Sequence, residues 1–410
     1  MAENVLQRME RIGAKEKIAS FMAKEKMPYD FKRRYAALRA REFVRECDRR
    51  DLNYHVSVGG LDSIVLALFL RSLHIKCPLI SASYLEDSSI QRVHRAIGVV
   101  SVHPKVDENG RMWNKARVLQ EFGFPVLSKE IAAKIELLQN PTEKNKTVRH
   151  AIITGETGAY GGWQKDSRMK LSQKWLEKFG GYENETEHVH YQVPDFKVSA
   201  KCCYYLKEYP CDDWARENNS VPFLGLMASE GGRRAKSLRV NGCNYFGKST
   251  IRSAPFAIFQ RQDILTMALE MDDWYRTEEK DVLYREGVTS GRIRKDFEMP
   301  DSIIPAVYGG IEREADGTLY TTKAQRTGCN MCGFGIHLEK RPHRFDLLRE
   351  RNEKEWRYWM FGCCTDDEGN PYGWAKVLDY IGVGYLEQSS EIEGQQSLWD
   401  QVKNESTFSM

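Results

Sequence analysis

Apolar residues recur along the chain with two periods, and these predict where helices and strands lie. Over 3–26 and 29–50 they return at spacings of three, four or six, roughly one face of a helix, and Pro28 separates the two helices. From Tyr54 onward, short β-rich or apolar runs alternate with helical patterns. This alternation is typical of a parallel sheet whose strands are joined by crossover helices.

The predicted elements follow one another in regular order. The predicted strands are 54–58, 77–83, 99–102, 124–127 and 222–227. The predicted helices that follow or separate them are 63–73, 87–97, 129–138 and 263–271. The expected fold class is therefore α/β: a Rossmann-like parallel sheet with flanking helices, a helical N-terminal extension and a cysteine-bearing C-terminal region.

Composition narrows the class of protein. Of the 410 residues, 41% are hydrophobic and 29% charged, which excludes full disorder, collagen and a small disulfide scaffold. The chain has no apolar run of the roughly 18 residues that a membrane span needs, and its first residues lack a signal-peptide pattern. We therefore expect a cytoplasmic protein with no membrane partner. A local excess of lysine and arginine over 1–50 could face nucleic acid, or be only a solvated helix face.

A glycine loop joins the first predicted strand to the helix that follows. It reads Ser57-Val58-Gly59-Gly60-Leu61-Asp62-Ser63. Glycines let backbone N–H groups approach an anion, and the helix N-terminus adds unsatisfied donors. Ser63 can offer its hydroxyl to the same phosphate, whereas Asp62 suggests a bridging metal ion such as magnesium, or a hydrogen-bonding role. The plainer alternative is a tight turn in which Asp62 or Ser63 caps the helix.

The ten cysteines are the second unusual feature, because disulfides are not expected in a reducing cytosol. Six of them fall in three groups: Cys202-Cys203, Cys329-x-x-Cys332 and Cys363-Cys364. A metal site needs about four ligands, and the first two groups supply them. Consecutive side chains diverge, so an iron–sulfur cluster, 4Fe-4S, is favoured over zinc or free thiols. The third group is a redox or catalytic candidate, with packing as the alternative.

The glycine loop resembles the pyrophosphate-binding loop (PP-loop) of the adenine nucleotide α-hydrolase superfamily, whose pattern is Ser-Gly-Gly-x-Asp-Ser. Gly59, Gly60, Asp62 and Ser63 match that pattern, and Val58 replaces its first serine. The resemblance implies the Rossmann-like fold of that superfamily. It also implies an adenine nucleotide, such as ATP, held by the loop that begins with Ser57.

The cysteine pattern resembles that of the phosphoadenylyl sulfate (PAPS) and adenylyl sulfate reductase family, whose cluster-bearing members carry a tandem pair followed by CxxC. Other family elements occur in the same order. They are a basic segment at 199–207, the positions Gly225, Glu230 and Arg234, the stretch 255–263, Ile-Pro-x-x-Tyr at 304–308, and Arg344, Phe345 and Leu348. The resemblance covers roughly residues 50–350. It implies reduction of PAPS or adenylyl sulfate, with a cluster and a thiol electron donor.

Charged residues and thiols complete the predicted site. Arg234 is expected near a strand end, where α/β sheets bind ligands, and arginine suits phosphate or sulfate; a structural pair with Glu230 is the alternative. Lys201, beside the tandem cysteines, is expected to neutralise cluster or substrate charge. The Glu-Cys-Gly-(Leu/Ile)-His motif of family reductases is absent from the sequence. Cys363 and Cys364 are therefore the candidates for its catalytic thiol.

Three functions stay open. The first, sulfonucleotide reduction by an oxidoreductase, is the leading expectation. The second is an ATP-consuming sulfurtransferase that adenylates its substrate, releases pyrophosphate and acts on nucleic acid. The third is a non-catalytic nucleotide-binding partner in a phage or defence system, which the replacements Val58 and Leu61 would suit.

Five segments are expected along the chain. They are a helical extension (1–50), a PP-loop nucleotide-binding domain (51–271), a charged helical insertion (272–303), a cysteine-bearing region (304–385) and a flexible tail (386–410). The tail contains Gln395-Gln396-Ser397-Leu398-Trp399, which is similar to peptides that dock on bacterial sliding clamps; a chance match is the alternative. A homo-oligomer is also open.

Overall fold

The computed structural model describes residues 5–104, 106–180, 183–184, 189–190, 193–325 and 327–385. The predicted tail and its clamp-like peptide lie outside the described residues. The chain forms two compact units, Met1–His103 with Tyr209–Asn330 and Pro104–Glu208 with Met331–Met410. The predicted segments 51–271 and 304–385 are each divided between these units. None of the described helices is both long and apolar enough to cross a membrane.

Helices dominate the described chain. The α-helices are α1 (Val5–Glu25), α2 (Tyr29–Arg49), α3 (Leu61–Ser72), α4 (Ser88–Ile97), α5 (Lys115–Phe122), α6 (Lys129–Gln139), α7 (Lys146–Thr154), α8 (Gln173–Phe179), α9 (Lys201–Cys203), α10 (Tyr209–Glu217), α11 (Gly232–Asn241), α12 (Arg261–Trp274), α13 (Lys280–Thr289), α14 (Arg344–Arg351), α15 (Glu353–Phe361) and α16 (Trp374–Ile381). Two π-helical turns lie at Tyr204–Glu208 and Tyr275–Glu279.

Short strands separate these helices. They are β1 (Asn53–Ser57), β2 (Leu79–Ser81), β3 (Val99–Ser101), β4 (Glu183–Asn184), β5 (Val189–His190), β6 (Ser220–Leu224), β7 (Asn244–Phe246), β8 (Ile251–Ser253), β9 (Ile311–Arg313), β10 (Leu319–Thr321), β11 (Cys364–Thr365) and β12 (Pro371–Tyr372). Single 3-10 turns occur at Ser83–Leu85, Glu143–Asn145, Ala159–Gly161, Ala228–Glu230, Ala306–Tyr308 and Ile336–Leu338.

A six-stranded sheet organises the first unit, in the order β3-β2-β1-β6-β8-β7. β1 pairs in parallel with both β2 and β6, and the pairs β2–β3 and β6–β8 are also parallel. β7 runs antiparallel to β8. The prediction of an α/β fold with a mostly parallel sheet and flanking helices is thereby confirmed. The strand order reverses between β1 and β6, which is where open α/β sheets bind ligands.

Helix α3 is the crossover that follows β1. Its residues Ile64–Leu70 are all at least 96% buried, because the helix is apolar on every side and has neighbours on more than one. It contacts both β1 and α12. This burial fixes the helix axis and, with it, the position of the glycine loop at its N-terminus.

Helix α2, within the predicted N-terminal extension, packs into the core of the first unit. Phe43 is fully buried, and its ring centroid lies 4.8 Å from that of Phe223 in β6 and 5.3 Å from that of Phe246 in β7. The ammonium of Lys32, also buried, donates to the Asp263 carboxylate of α12 at 2.7 Å. Helix α2 therefore covers one face of the sheet.

The second unit has its own aromatic core. Trp356 and Trp374 are fully buried there, and Trp374 packs edge-on against Phe124 with ring centroids 5.0 Å apart. The prediction that 124–127 is a strand of the parallel sheet is wrong. Phe124 and Leu127 form only isolated bridges, with Val198 and Phe334. Pro125 has no N–H to donate, and Leu127 has a left-handed φ of 61°, so a continuous ladder cannot form.

Replacing Phe43 with alanine should lower the free energy of unfolding by about 3–5 kcal/mol, because it leaves a cavity between α2 and the sheet. The matched control is Leu38→Ala, since Leu38 lies on the same helix but is 45% exposed. Its effect should stay within about 0.5 kcal/mol. Chemical denaturation followed by circular dichroism measures both, and equal losses would contradict the packing of α2 in this core.

Candidate functional site

The glycine loop lies between the carboxyl end of β1 and the first turn of α3, as the sequence predicts. A second loop approaches it from the adjacent strand β6. A methyl group added at Gly225, the residue after β6, would come within 3.1 Å of backbone atoms of Asp62 and Ser63. A side chain here would crowd the backbone of the glycine loop, so the small residue lets the two loops meet at the point where the strand order reverses.

Two backbone N–H groups of the glycine loop donate hydrogen bonds to side-chain hydroxyl groups. The N–H of Gly59 donates to Ser63 Oγ at 2.7 Å, and this hydroxyl donates to the Gly60 carbonyl at 2.9 Å. The N–H of Leu61 donates to the Tyr308 hydroxyl at 3.0 Å. The Ser63 hydroxyl thus bonds to the backbone of the loop, and its predicted contact with a phosphate stays a prediction. A phosphate or sulfate oxygen binding here would take over donors that these hydroxyls now use.

Tyr308 covers the loop from the 304–308 element. It is 3% exposed, and its hydroxyl lies 2.5 Å from Thr327 Oγ1. Burial raises the pKa of Tyr308 to about 12, so the hydroxyl stays protonated at neutral pH. A methyl group at Gly60 would overlap this hydroxyl. The second glycine of the loop is therefore required by the tyrosine above it.

Asp62 is paired with Arg261, the first residue of α12. The two side chains approach to 3.0 Å and are each less than a third exposed, and Arg261 also donates to the carbonyl of Gln325 at 2.9 Å. The arginine offsets the charge that made Asp62 a poor neighbour for phosphate. No motif spacing in the sequence points to this pair, because 199 residues separate its members.

His94 of α4 is a second residue that the sequence does not single out. It is 1% exposed, its Nε2 lies 2.8 Å from the Gly59 carbonyl oxygen, and its Nδ1 lies 2.8 Å from Ser83 Oγ. Since a carbonyl can only accept, Nε2 carries the proton and Nδ1 accepts from the serine hydroxyl. This chain of hydrogen bonds fixes the orientation of the Gly59 peptide.

The predicted basic residues Arg234 and Lys201 each form an ion pair with a glutamate. Arg234 in α11 forms an ion pair of 2.8 Å with Glu230, the structural alternative, and its side chain remains 59% exposed. Both residues follow β6 and so belong to the first unit. Lys201 belongs to the second unit, where its ammonium lies 3.7 Å from Glu136. Ser57 ends β1, next to the glycines.

The predicted cluster ligands are distributed over both units. Cys202 and Cys203 form α9 and precede a π-helical turn in the second unit, which also contains Cys332, whereas Cys329 belongs to the first unit. In the part of the chain that the structure describes, no group of three or more His, Cys, Asp or Glu side chains is arranged to hold a metal ion. The iron–sulfur cluster, like its zinc alternative, stays a prediction from the sequence.

Cys363 and Cys364 are buried in the second unit. Their exposed fractions are 6% and 2%, and their sulfur atoms lie 3.9 Å apart. Both thiols are therefore largely shielded from solvent in this conformation.

Compared with known proteins, the chain matches no family model, no curated protein and no solved structure.

Gly60→Ala should lower the free energy of unfolding by about 1–3 kcal/mol, because the added methyl overlaps the Tyr308 hydroxyl. In a Tyr308→Phe background the overlap is removed, so the same change should cost less, with a coupling of about 1 kcal/mol or more. Gly310→Ala is the matched control, since open space surrounds that position. Additive effects of Gly60→Ala and Tyr308→Phe in denaturant titrations would disprove the contact.

Proposed function

We propose that the first unit binds an adenine nucleotide between β1 and β6, where the strand order of the sheet reverses. We further propose that its fold is of the adenine nucleotide α-hydrolase type. One observation carries this proposal. The glycine loop and the Gly225–Arg234 element, far apart in sequence, follow two adjacent parallel strands at the position where their order reverses. Ligands of open α/β sheets bind in the crevice at such a position.

The loop offers the groups that a phosphate or sulfate needs. The N–H groups of Gly59 and Leu61 point to hydroxyl oxygens, and an anionic oxygen is a stronger acceptor than either. The N-terminus of α3 adds partial positive charge. Arg261 forms an ion pair with Asp62 in the first turn of α3, and Arg234 keeps more than half of its side chain exposed. A magnesium ion on the nucleotide would be compatible with the Asp62 carboxylate.

For the reaction, we propose reduction of PAPS or adenylyl sulfate, as the family resemblance implies. A thiolate attacks the sulfur of the sulfonucleotide, the nucleotide leaves, and a thiol donor releases the bound sulfur as sulfite. Cys363 and Cys364 are the candidate attacking thiols. Cys202, Cys203, Cys329 and Cys332 would hold the 4Fe-4S cluster, which in this family accompanies sulfonucleotide chemistry.

A specific observation favours the second candidate, an ATP-dependent sulfurtransferase that releases pyrophosphate. Both Cys363 and Cys364 are almost wholly buried, whereas attack on a sulfonucleotide requires an accessible thiolate. Adenylation needs no cysteine nucleophile in its first step. The nucleotide site proposed here is the same for both reactions.

Replacing Arg261 or Arg234 with methionine should weaken nucleotide binding by about tenfold each, because each change removes a charge-assisted interaction with the anion. Isothermal titration with ATP, PAPS and adenylyl sulfate measures the affinities. Arg216→Met is the matched control, since Arg216 is an exposed arginine of the first unit that pairs with Asp213 just before the amino end of β6. Unaltered affinity in both test variants would disprove the proposed pocket.

Product analysis distinguishes the reactions. Anaerobically purified protein, incubated with a thiol donor, should release sulfite from PAPS or adenylyl sulfate. Release of pyrophosphate from ATP that requires a second substrate would instead identify the transferase. Tight nucleotide binding without either product would contradict both and leave a non-catalytic partner.

A further inference from the structure

Cys363 and Cys364 lie at the junction between α15 and the β11–β12 hairpin of the second unit. In its thiol form Cys363 donates to the carbonyl of Trp359 at 3.3 Å, and its sulfur is 3.9 Å from that of Cys364. The distance is close to van der Waals contact between two sulfur atoms. The two thiols are therefore adjacent in space as well as in sequence, as reaction between them requires.

A buried cation accompanies the pair. Lys115, the first residue of α5, is 9% exposed, and among the described residues its ammonium has no hydrogen-bond partner. The ammonium lies 5.1 Å from the ring centroid of Trp359, the residue whose carbonyl accepts from Cys363. Burying a charge without an acceptor is costly unless an opposite charge is available. Trp359 thus contacts both groups, its ring the Lys115 ammonium and its backbone carbonyl the Cys363 thiol.

The surrounding elements hold this arrangement in place. Gln120, one and a half turns after Lys115 on α5, forms two hydrogen bonds with the backbone of Thr365, at 2.7 and 2.8 Å. Thr365 follows Cys364 directly in β11. These two hydrogen bonds tie α5, which carries Lys115, to the strand that carries Cys364.

The two thiols differ electrostatically. A hydrogen bond from Cys364 lowers the pKa of Cys363, and the Lys115 ammonium lowers it further, against the effect of burial. The pKa of Cys364 is raised, because its S–H donates to Cys363 and because it is buried. Among the described residues, Tyr358 of α15 and Tyr372 of β12 also face the pair. Burial raises the pKa of both tyrosines, so they remain neutral at neutral pH.

We propose that Cys363 and Cys364 form a redox-active dithiol, in which Lys115 stabilises the thiolate of Cys363 and Cys364 acts as the resolving thiol. Lys115 is a positioning residue here, since it acts through Cys363. The proposal is independent of the nucleotide site, and its test contains no nucleotide.

The chemistry is thiol–disulfide exchange with a small disulfide, RSSR. The Cys363 thiolate attacks one sulfur, forming a mixed disulfide and expelling RS⁻. The Cys364 thiol then loses its proton and attacks Cys363, which forms the intramolecular disulfide and expels a second RS⁻ that takes up this proton. Both electrons lost by the dithiol reduce RSSR to two thiols.

A disulfide between two consecutive cysteines is suited to repeated oxidation and reduction and not to structural cross-linking. Consecutive Cα atoms are about 3.8 Å apart, whereas relaxed disulfides join Cα atoms about 4.4–6.8 Å apart. The resulting strain makes the bond easy to reduce. The oxidised form should therefore return to the dithiol with mild thiol reductants.

The test uses the full chain and hydroxyethyl disulfide as oxidant, followed by alkylation, trypsin digestion and mass spectrometry. Cleavage after Arg357 and Lys376 gives a peptide that contains Cys363 and Cys364 and no other cysteine. This peptide should be unalkylated and lighter by two hydrogen atoms, and dithiothreitol should reverse the change. Cys364→Ser should accumulate the mixed disulfide at Cys363, whereas Cys363→Ser should leave Cys364 unmodified. A mixed disulfide at Cys364 instead, or no disulfide within the peptide, would overturn the proposal.

A second measurement examines the role of Lys115. The rate of iodoacetamide alkylation at Cys363 should show a pH midpoint below about 8.5, the value of an ordinary cysteine. Lys115→Met should slow alkylation by about tenfold below that midpoint, and Lys115→Arg should restore the rate. Lys129→Met is the control, since Lys129 is a half-exposed lysine of the same unit. A wild-type midpoint above that of an ordinary cysteine would exclude the stabilised thiolate, even if the Lys115→Met variant does not fold.

Discussion

Parallel pairing of β1 with strands on both of its sides is the constraint on which the first unit depends. Since parallel strands end at the same edge of a sheet, the segments that follow β1 and β6 must emerge side by side. In open α/β sheets, a reversal of strand order such as the one between them leaves a crevice that ligands occupy. Gly225 and the glycine loop are the local adaptations to this geometry, because both allow the backbones to come close.

Any anion bound by the glycine loop would compete with hydroxyl groups of the protein for the backbone N–H groups of Gly59 and Leu61. Hydroxyl groups of Ser63 and Tyr308 accept hydrogen bonds from the N–H groups of Gly59 and Leu61, which would otherwise lose these partners. An anion must replace these bonds and not simply add to them. For the anion proposed to bind here, the net affinity would depend on the difference between a charged and a neutral acceptor, beside the ion pair of Asp62 and Arg261.

Local patterns predicted much of the first unit. The run at 54–58 and the apolar stretch at 63–73 correspond to β1 and α3, because both elements are set by burial within a few residues. Contacts between distant segments could not be read in this way. The Asp62–Arg261 pair and the His94–Gly59 hydrogen bond depend on tertiary packing, and the apolar run at 124–127 was misleading because apolar character indicates burial but not strand pairing. The dithiol was visible as a sequence pair, whereas the cation beside it was not.

The two units are each assembled from separate stretches of chain. β1 and β6 become neighbours although His55 and Ser220, whose side chains form a hydrogen bond, are 165 positions apart in the sequence. During synthesis, β1 thus lacks its partner on one edge until the roughly 165 residues up to β6 have been added. Hydrophobic strand edges that wait for a late partner are prone to wrong pairing. For this chain the order of synthesis, and not only the final free energy, governs how efficiently the central sheet forms.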